Sequence, residues 1–176
     1  GGVGFILTGG VMVSPLDYEA MLKMPPMGGL GMGLTFHDDK YIPGYAKLAE
    51  VVHSYGVKIG VQIAGGGVTI GPSPSPYPKR DFIDVILGMP MPVSEMSVEE
   101  IERWERDCAA CAARVKAAGM DCVELHCAHG YVSLWGGFMS PFTNRRTDKY
   151  GGGWENRMRF AVETIQAIRK AVGDNF

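Results

Sequence analysis

Short strand-like runs alternate with longer helix-like ones along this chain, and that alternation limits the fold more than any other feature of the sequence. Gly4 to Thr8 is an apolar run ended by Gly9-Gly10, and it predicts a buried strand. A helix begins near Ile42-Pro43, carries Leu48, Val51, Val52 and Tyr55 on one face, and stops at Gly56, a natural left-handed cap. Lys58 to Ala64 predicts a second strand. Ser97 with Glu100 makes a capping box, and Met96 can staple onto Ile101. Ile101, Trp104, Cys108, Cys111, Val115 and Ala118 then keep helical spacing up to Gly119. Asp121 to His126 is the third strand. A last helix runs from about Trp154 to Val172, with Trp154, Met158, Ala161, Ile165, Ile168 and Val172 in register and Gly173 as its cap. Strand, helix, strand, helix, strand, helix predicts βαβ units on a parallel sheet.

The strands are two-faced. Ile59, Val61 and Ile63 point to one side, and Gly60, Gln62 and Ala64 to the other. Val123 and Leu125 likewise oppose Cys122, Glu124 and His126. One face is built to pack on helices; the other is small or polar, as if it lined a crowded interior or a ligand. A doubly wound open sheet satisfies the alternation too. Polar strand faces and long loops after the strand C-termini, at Met24 to Leu34 and at 65–96, favour a barrel. A whole barrel needs about 250 residues, whereas this chain has 176. The expected fold class is therefore α/β, a partial TIM (β/α)8 barrel of about three βα units.

Composition excludes several functions. With 46% hydrophobic and 20% charged residues and a net charge of -2, the chain reads as an ordinary globular domain. It has no electrostatic footprint for nucleic acid or an anionic membrane, and no apolar run long enough to predict a membrane span. The start lacks the basic region of a signal peptide, and four cysteines in a chain of this size read as reduced thiols of a cytoplasmic protein. Cys108 and Cys111 have redox-motif spacing but lie in mid-helix on an apolar face, which makes them core residues. Gly29, Gly31 and Gly33 follow no strand and open no helix, so they form no dinucleotide fingerprint.

The densest polar cluster is His126-Cys127-Ala128-His129-Gly130-Tyr131, at and beyond the end of the third strand. Two imidazoles can donate to one developing oxyanion, and a nearby phenol can supply a proton. Gln62, on the inward face of the neighbouring strand, can donate and accept at once, which suits the edge of a heterocycle. A lone strand-end histidine is more often structural, but two histidines and a tyrosine within six residues point to a site. A zinc site on His126, Cys127 and His129 ranks low, because no second segment brings paired ligands; no metal is expected.

Val123–Tyr131 (VELHCAHGY) and Met139–Phe160 (MSPFTNRRTDKYGGGWENRMRF), with GGVGFILTGGVMVSP and VQIAGGG in the same order, resemble the Old Yellow Enzyme or NADH:flavin oxidoreductase family, including its dienoyl-CoA and bile-acid enoate reductase branches. The resemblance spans essentially the whole chain and implies an incomplete flavin-binding (β/α)8-barrel domain over 1–176, without its first strand and C-terminal half. It implies FMN as cofactor, NADH or NADPH as electron donor, and a small molecule with an activated C=C bond as substrate. Gln62 would bond the flavin pyrimidine edge, and Gly10 would let the backbone approach the isoalloxazine. His126 and His129 would hold the substrate carbonyl, and Tyr131 would protonate the α-carbon. The chain departs from the family at Gly65 and Val68, and in YVSLWGGFMSP, two residues longer than usual. Alternatives are an amine dehydrogenase on the same scaffold, and a non-catalytic partial barrel that needs a second copy or a complementary segment. Open strand edges imply that the chain is inactive alone.

Overall fold

The computed structural model describes residues 2–22, 34–64, 70–74, 93–128 and 133–176. Its main sheet has four parallel strands in the order β2-β1-β3-β6. These are β1 (Phe5–Met12), β2 (Leu34–Thr35), β3 (Lys58–Ile63) and β6 (Cys122–Leu125). The helices that matter for the site are α1 (Pro15–Leu22), α2 (Ile42–His53), α3 (Val98–Ala117), α4 (Leu134–Met139) and α5 (Trp154–Val172). Two residues at Ile70–Gly71 (β4) pair in parallel with two at Ser94–Glu95 (β5).

Among the described residues, helices cover one side of the sheet only. Ile59, Val61 and Ile63 are buried in a core with Trp104, Cys108, Cys111 and Val115 of α3 and Tyr45 and Ala49 of α2. On the opposite face Glu124 is exposed and Gln62 half-buried. A doubly wound sheet would carry helices on both faces. A sheet with helices on one face only is an arc of a barrel wall, its polar face turned inward.

Helix α3 follows its sequence signals closely. Ser97 accepts from Glu100 N while the Glu100 carboxylate accepts from Ser97 N, so the capping box is complete. Met96 and Ile101 are both buried, and Gly119 has a φ of 74° just past the helix end. Cys108 and Cys111 are fully buried, and burial pushes the Cys111 thiol up to about 12. They are core residues.

Three expectations need correction. β1 does not stop at Gly9-Gly10 but runs on to Met12, and it is not buried at its start, where Phe5 and Ile6 are exposed. The glycines are absorbed by a register shift between Leu7 and Gly10, and β2 pairs only with Val11 and Met12, leaving the first half of β1 open on that side. On α2 the buried face is Tyr45 and Ala49, while Leu48, Val51 and Tyr55 are exposed. On α5 the buried face is Phe160, Ala161, Thr164, Ile168 and Val172, and Trp154 and Ile165 are exposed. Both helices flank α3, and each exposes apolar residues where no further helix stands among the described residues. The sequence reading also missed α1, β2 and α4, and the β4–β5 pair inside the long loop. Periodicity has little to work on in elements of two to eight residues.

Between α3 and α5 lies a carboxyl cluster with a pH signature. Tyr150 Oη donates to Glu163 Oε2 at 2.9 Å. Glu105 has one oxygen buried without a hydrogen-bond partner among the described residues. Burial first, then the nearby Glu163 and Glu102 carboxylates, push Glu105 up to about 7, against an opposing pull from Lys149. The folded state therefore holds a proton that the unfolded chain releases from its ordinary value of 4.5 upward. This contribution is fully present below pH 4.5 and is lost as pH rises through 7. Urea unfolding at several pH values should show that Glu105→Gln flattens this decline and is the more stable protein above pH 7. Equal pH slopes in the two proteins would refute the assignment.

Candidate active site

The two ends of the strands are built for different tasks. At the N-terminal end, Asp121 receives hydrogen bonds from Lys58 Nζ (2.7 Å), His53 Nε2 (2.7 Å) and Ile59 N (2.9 Å). Burial alone would raise its carboxyl, but these bonds prevail and bring it down to about 2. This knot ties α2, β3 and the start of β6 together.

The C-terminal end is different. Leu7 pairs with Gly60 and Gly10 with Gln62, so three steps on β1 match two on β3. The extra residue is a β-bulge, a device common beside active sites because it re-aims the chain. Its effect is to put Gly10 on the uncovered face. Gln62 in turn pairs with Glu124 on β6. Gly10, Gln62 and Glu124 thus form one row across three adjacent strands, and Gln62 Nε2 donates to Glu124 Oε1 at 2.6 Å. In the row before it, a side chain at Gly60 would collide with the Cys122 sulfur. A side chain at Gly10 would meet Ala64 Cβ at 2.6 Å. Close packing between strands therefore requires glycine at Gly10, independently of any ligand. The result is a strip with almost no side chain, edged by an amide and a carboxylate.

His126 sits at the end of β6, half-buried, with its backbone N bonded to Ile63 O at 2.9 Å. Its carbonyl oxygen accepts a hydrogen bond from Ser133 Oγ. Ser133 is 2% exposed and also accepts from Gly136 N, capping α4. At Gly136 a Cβ would stand 2.8 Å from Cys127 O, so this glycine lets α4 lie directly on the backbone leaving β6. The longer LWGG segment thus forms a buried helix. Gly10, Gln62 and His126 are brought together at the carboxyl ends of neighbouring strands, whereas His129 and Tyr131 lie outside the described residues.

A second layer supports this end. Asn144 Nδ2 donates to Phe138 O (2.7 Å) and Tyr150 O (2.8 Å), and its Oδ1 accepts from Arg146 N (3.1 Å). The Arg146 side chain, 4% exposed, forks onto Asp148 and donates through Nη1 to both Pro72 O (3.1 Å) and Met96 O (2.6 Å). The guanidinium holds Asp148 below the usual carboxylate range. A side chain at Gly151 would collide with the Arg146 backbone. Sequence reasoning missed Glu124, Ser133, Asn144 and Arg146. Glu124 had a signal, since it shares the face of His126; the others act on backbone atoms that no pattern reveals.

Among the described residues no three His, Cys, Asp or Glu side chains converge as metal ligands, and no helix is long and apolar enough to cross a membrane. The family model described as NADH:flavin oxidoreductase / NADH oxidase matches residues 16–176. An NADH oxidase of Thermoanaerobacter brockii is 42% identical over 183 residues, covering 100% of this chain and 26% of that protein. An NADPH dehydrogenase of Bacillus velezensis is 40% identical over 144 residues, 78% of this chain and 39% of that protein. A cinnamate reductase of Clostridium sporogenes is 35% identical over 186 residues, 100% and 26% of the two chains. Among solved structures, histamine dehydrogenase from Rhizobium sp. 4-9 superposes with a TM-score of 0.80 at 29% identity, covering 99% of this chain and 26% of that one. Old Yellow Enzyme from Pichia sp. AKU4542 gives 0.76 at 29% identity, covering 98% and 45%. The chain spans between a quarter and two fifths of the curated relatives named here. The open sheet is part of the barrel that these structures share.

Proposed function

Since the chain belongs to the NADH:flavin oxidoreductase / NADH oxidase family, whose cofactors are FMN and a reduced nicotinamide, we propose that the protein reduces activated C=C bonds of enones, enoates or enoyl thioesters. The observation that carries this reading is the bare strip at Gly10 and Ala64, flanked by Gln62 on one strand and His126 at the end of the next. A flat heterocycle fits such a strip, and an amide at its edge suits the hydrogen-bonding rim of a flavin. Cinnamate, which the relative of Clostridium sporogenes is named for reducing, is an activated alkene of this kind.

Bound reduced FMN would supply the hydride for the β-carbon, and NADH or NADPH would restore the two electrons. The chain's own residues do the rest. Gln62 holds the cofactor's pyrimidine edge, while Gly10 leaves room for the ring. His126 and His129 donate N–H hydrogen bonds to the substrate carbonyl oxygen, drawing electron density from the alkene. Tyr131 delivers the proton to the α-carbon. Bond and charge then balance: one hydride and one proton add across one double bond.

A second reading is favoured by the likeness to histamine dehydrogenase, in which the same scaffold oxidises an amine. Anaerobic absorbance of the full-length, flavin-loaded protein separates them. Bleaching by NADH or NADPH followed by recovery on adding cinnamate or an enone is expected. Bleaching by an amine without nicotinamide, and no recovery with any alkene, would favour the amine reading. Full-length protein that never holds FMN would sink both and favour a non-catalytic barrel.

A further inference from the structure

Gln62 and Glu124 are direct register partners on adjacent parallel strands, and the amide nitrogen donates to the carboxylate at 2.6 Å. An ionised carboxylate has no hydrogen to give, so it must take the NH2 end of the amide. The amide oxygen is then turned the opposite way along the row, toward Gly10, where a Cβ would stand 3.7 Å from Gln62 Oε1. Glutamine is nearly symmetric in shape, and only its neighbours decide which end a ligand meets. Gly10 offers no side chain on the other flank to reverse that choice. The exposed carboxylate is otherwise out of place on an interior strand face.

We propose that Glu124 is a positioning residue: it locks Gln62 with its oxygen toward the ligand, so that the site accepts a hydrogen bond from an imide N–H. The proposal rests on the flavin reading above. The flavin pyrimidine edge carries one donor, N3–H, between two carbonyl acceptors. A freely rotating glutamine can meet that edge with either end. Glutamine held by Glu124 presents its oxygen to N3–H, with one amide hydrogen spent on the carboxylate, and this fixes how the ring sits over the strip. The row therefore works as a relay of orientation, from carboxylate to amide to cofactor.

The test uses full-length protein loaded with 15N-labelled FMN and reads the N3–H resonance and its exchange with solvent. In the wild type the signal should lie at low field and exchange slowly. Glu124→Gln keeps the shape but lets the Gln62 amide turn over, and N3–H exchange should accelerate roughly tenfold or more, as for a lost hydrogen bond. The exchanged pair, Gln62→Glu with Glu124→Gln, again offers an acceptor to N3–H and should restore slow exchange. Loss of side-chain packing alone would not be reversed by that swap. A Glu124→Gln protein that holds FMN with unchanged N3–H exchange overturns the proposal. So does a wild-type N3–H that exchanges as fast as in free FMN, whether or not the single variant folds. Wild-type protein without FMN is a distinct result, and it removes the flavin reading itself.

Discussion

Replacing Arg146 by alanine should cost the folded protein about 2 kcal/mol, the scale for losing hydrogen bonds from a buried charged group whose acidic partner is half-exposed. The loss has four parts. Asp148 is left without the guanidinium that holds it, Glu95 loses an ion pair at 3.4 Å, and the Pro72 and Met96 carbonyls lose the donor they share. The cation–π contact of Arg146 with Phe138, at 5.8 Å, goes as well. Arg146→Lys should recover little, because an ammonium has no planar fork to reach a carboxylate and two carbonyls together. Urea unfolding of the full-length protein measures both. A shift within about 0.5 kcal/mol for the alanine variant, the range of an ordinary surface change, would mean that the network contributes nothing net. The size matters because a domain has only about 5–15 kcal/mol to lose.

The largest kinetic effect should come from Tyr131→Phe. If Tyr131 is the proton donor, its removal should slow the alkene half-reaction by roughly 10²–10⁴-fold, the range for one general acid. Flavin reduction by NADH or NADPH needs no such proton and should be unchanged. Rapid mixing of pre-reduced protein with substrate, and separately of oxidised protein with nicotinamide, resolves the two halves. If both halves slow alike, the phenol is shaping the site rather than supplying the proton. If neither changes, the proton comes from elsewhere.

Much of the frame was legible in the residues because it is set by local chemistry. The capping box at Ser97 and Glu100, the glycine after α3 and the period-two faces of β3 each follow from a few neighbouring side chains, and each appears as read. The face of α2 was misjudged for a different reason. Leu48, Val51 and Tyr55 make as good an apolar stripe as Tyr45 and Ala49, and only the position of α3 decides between them. Sequence holds no information about that neighbour until the topology is known. The same limit applies to the site. Gln62 was visible as a polar residue on an inward face, but its bond to Glu124 joins residues 62 apart in sequence, across a strand pairing. Ser133 and Asn144 act on carbonyl oxygens, which every residue possesses, so nothing in their identity named their partners.

The short β4–β5 pair has a bearing on how such a protein can change. Ile70–Gly71 lies beside Ser94–Glu95, and one nitrogen of Arg146 grips the carbonyls of Pro72 and Met96 just beyond. The two feet of the intervening excursion are thus fastened to each other and to the barrel wall. Once the feet are closed, doubling the length between them adds only about 0.6 kcal/mol of chain entropy. Residues between the feet can be lengthened, shortened or exchanged as a cassette while the strands below keep their register. The sequence between the feet and the stability of the strands are then inherited separately, and one can drift while the other is held by its own contacts.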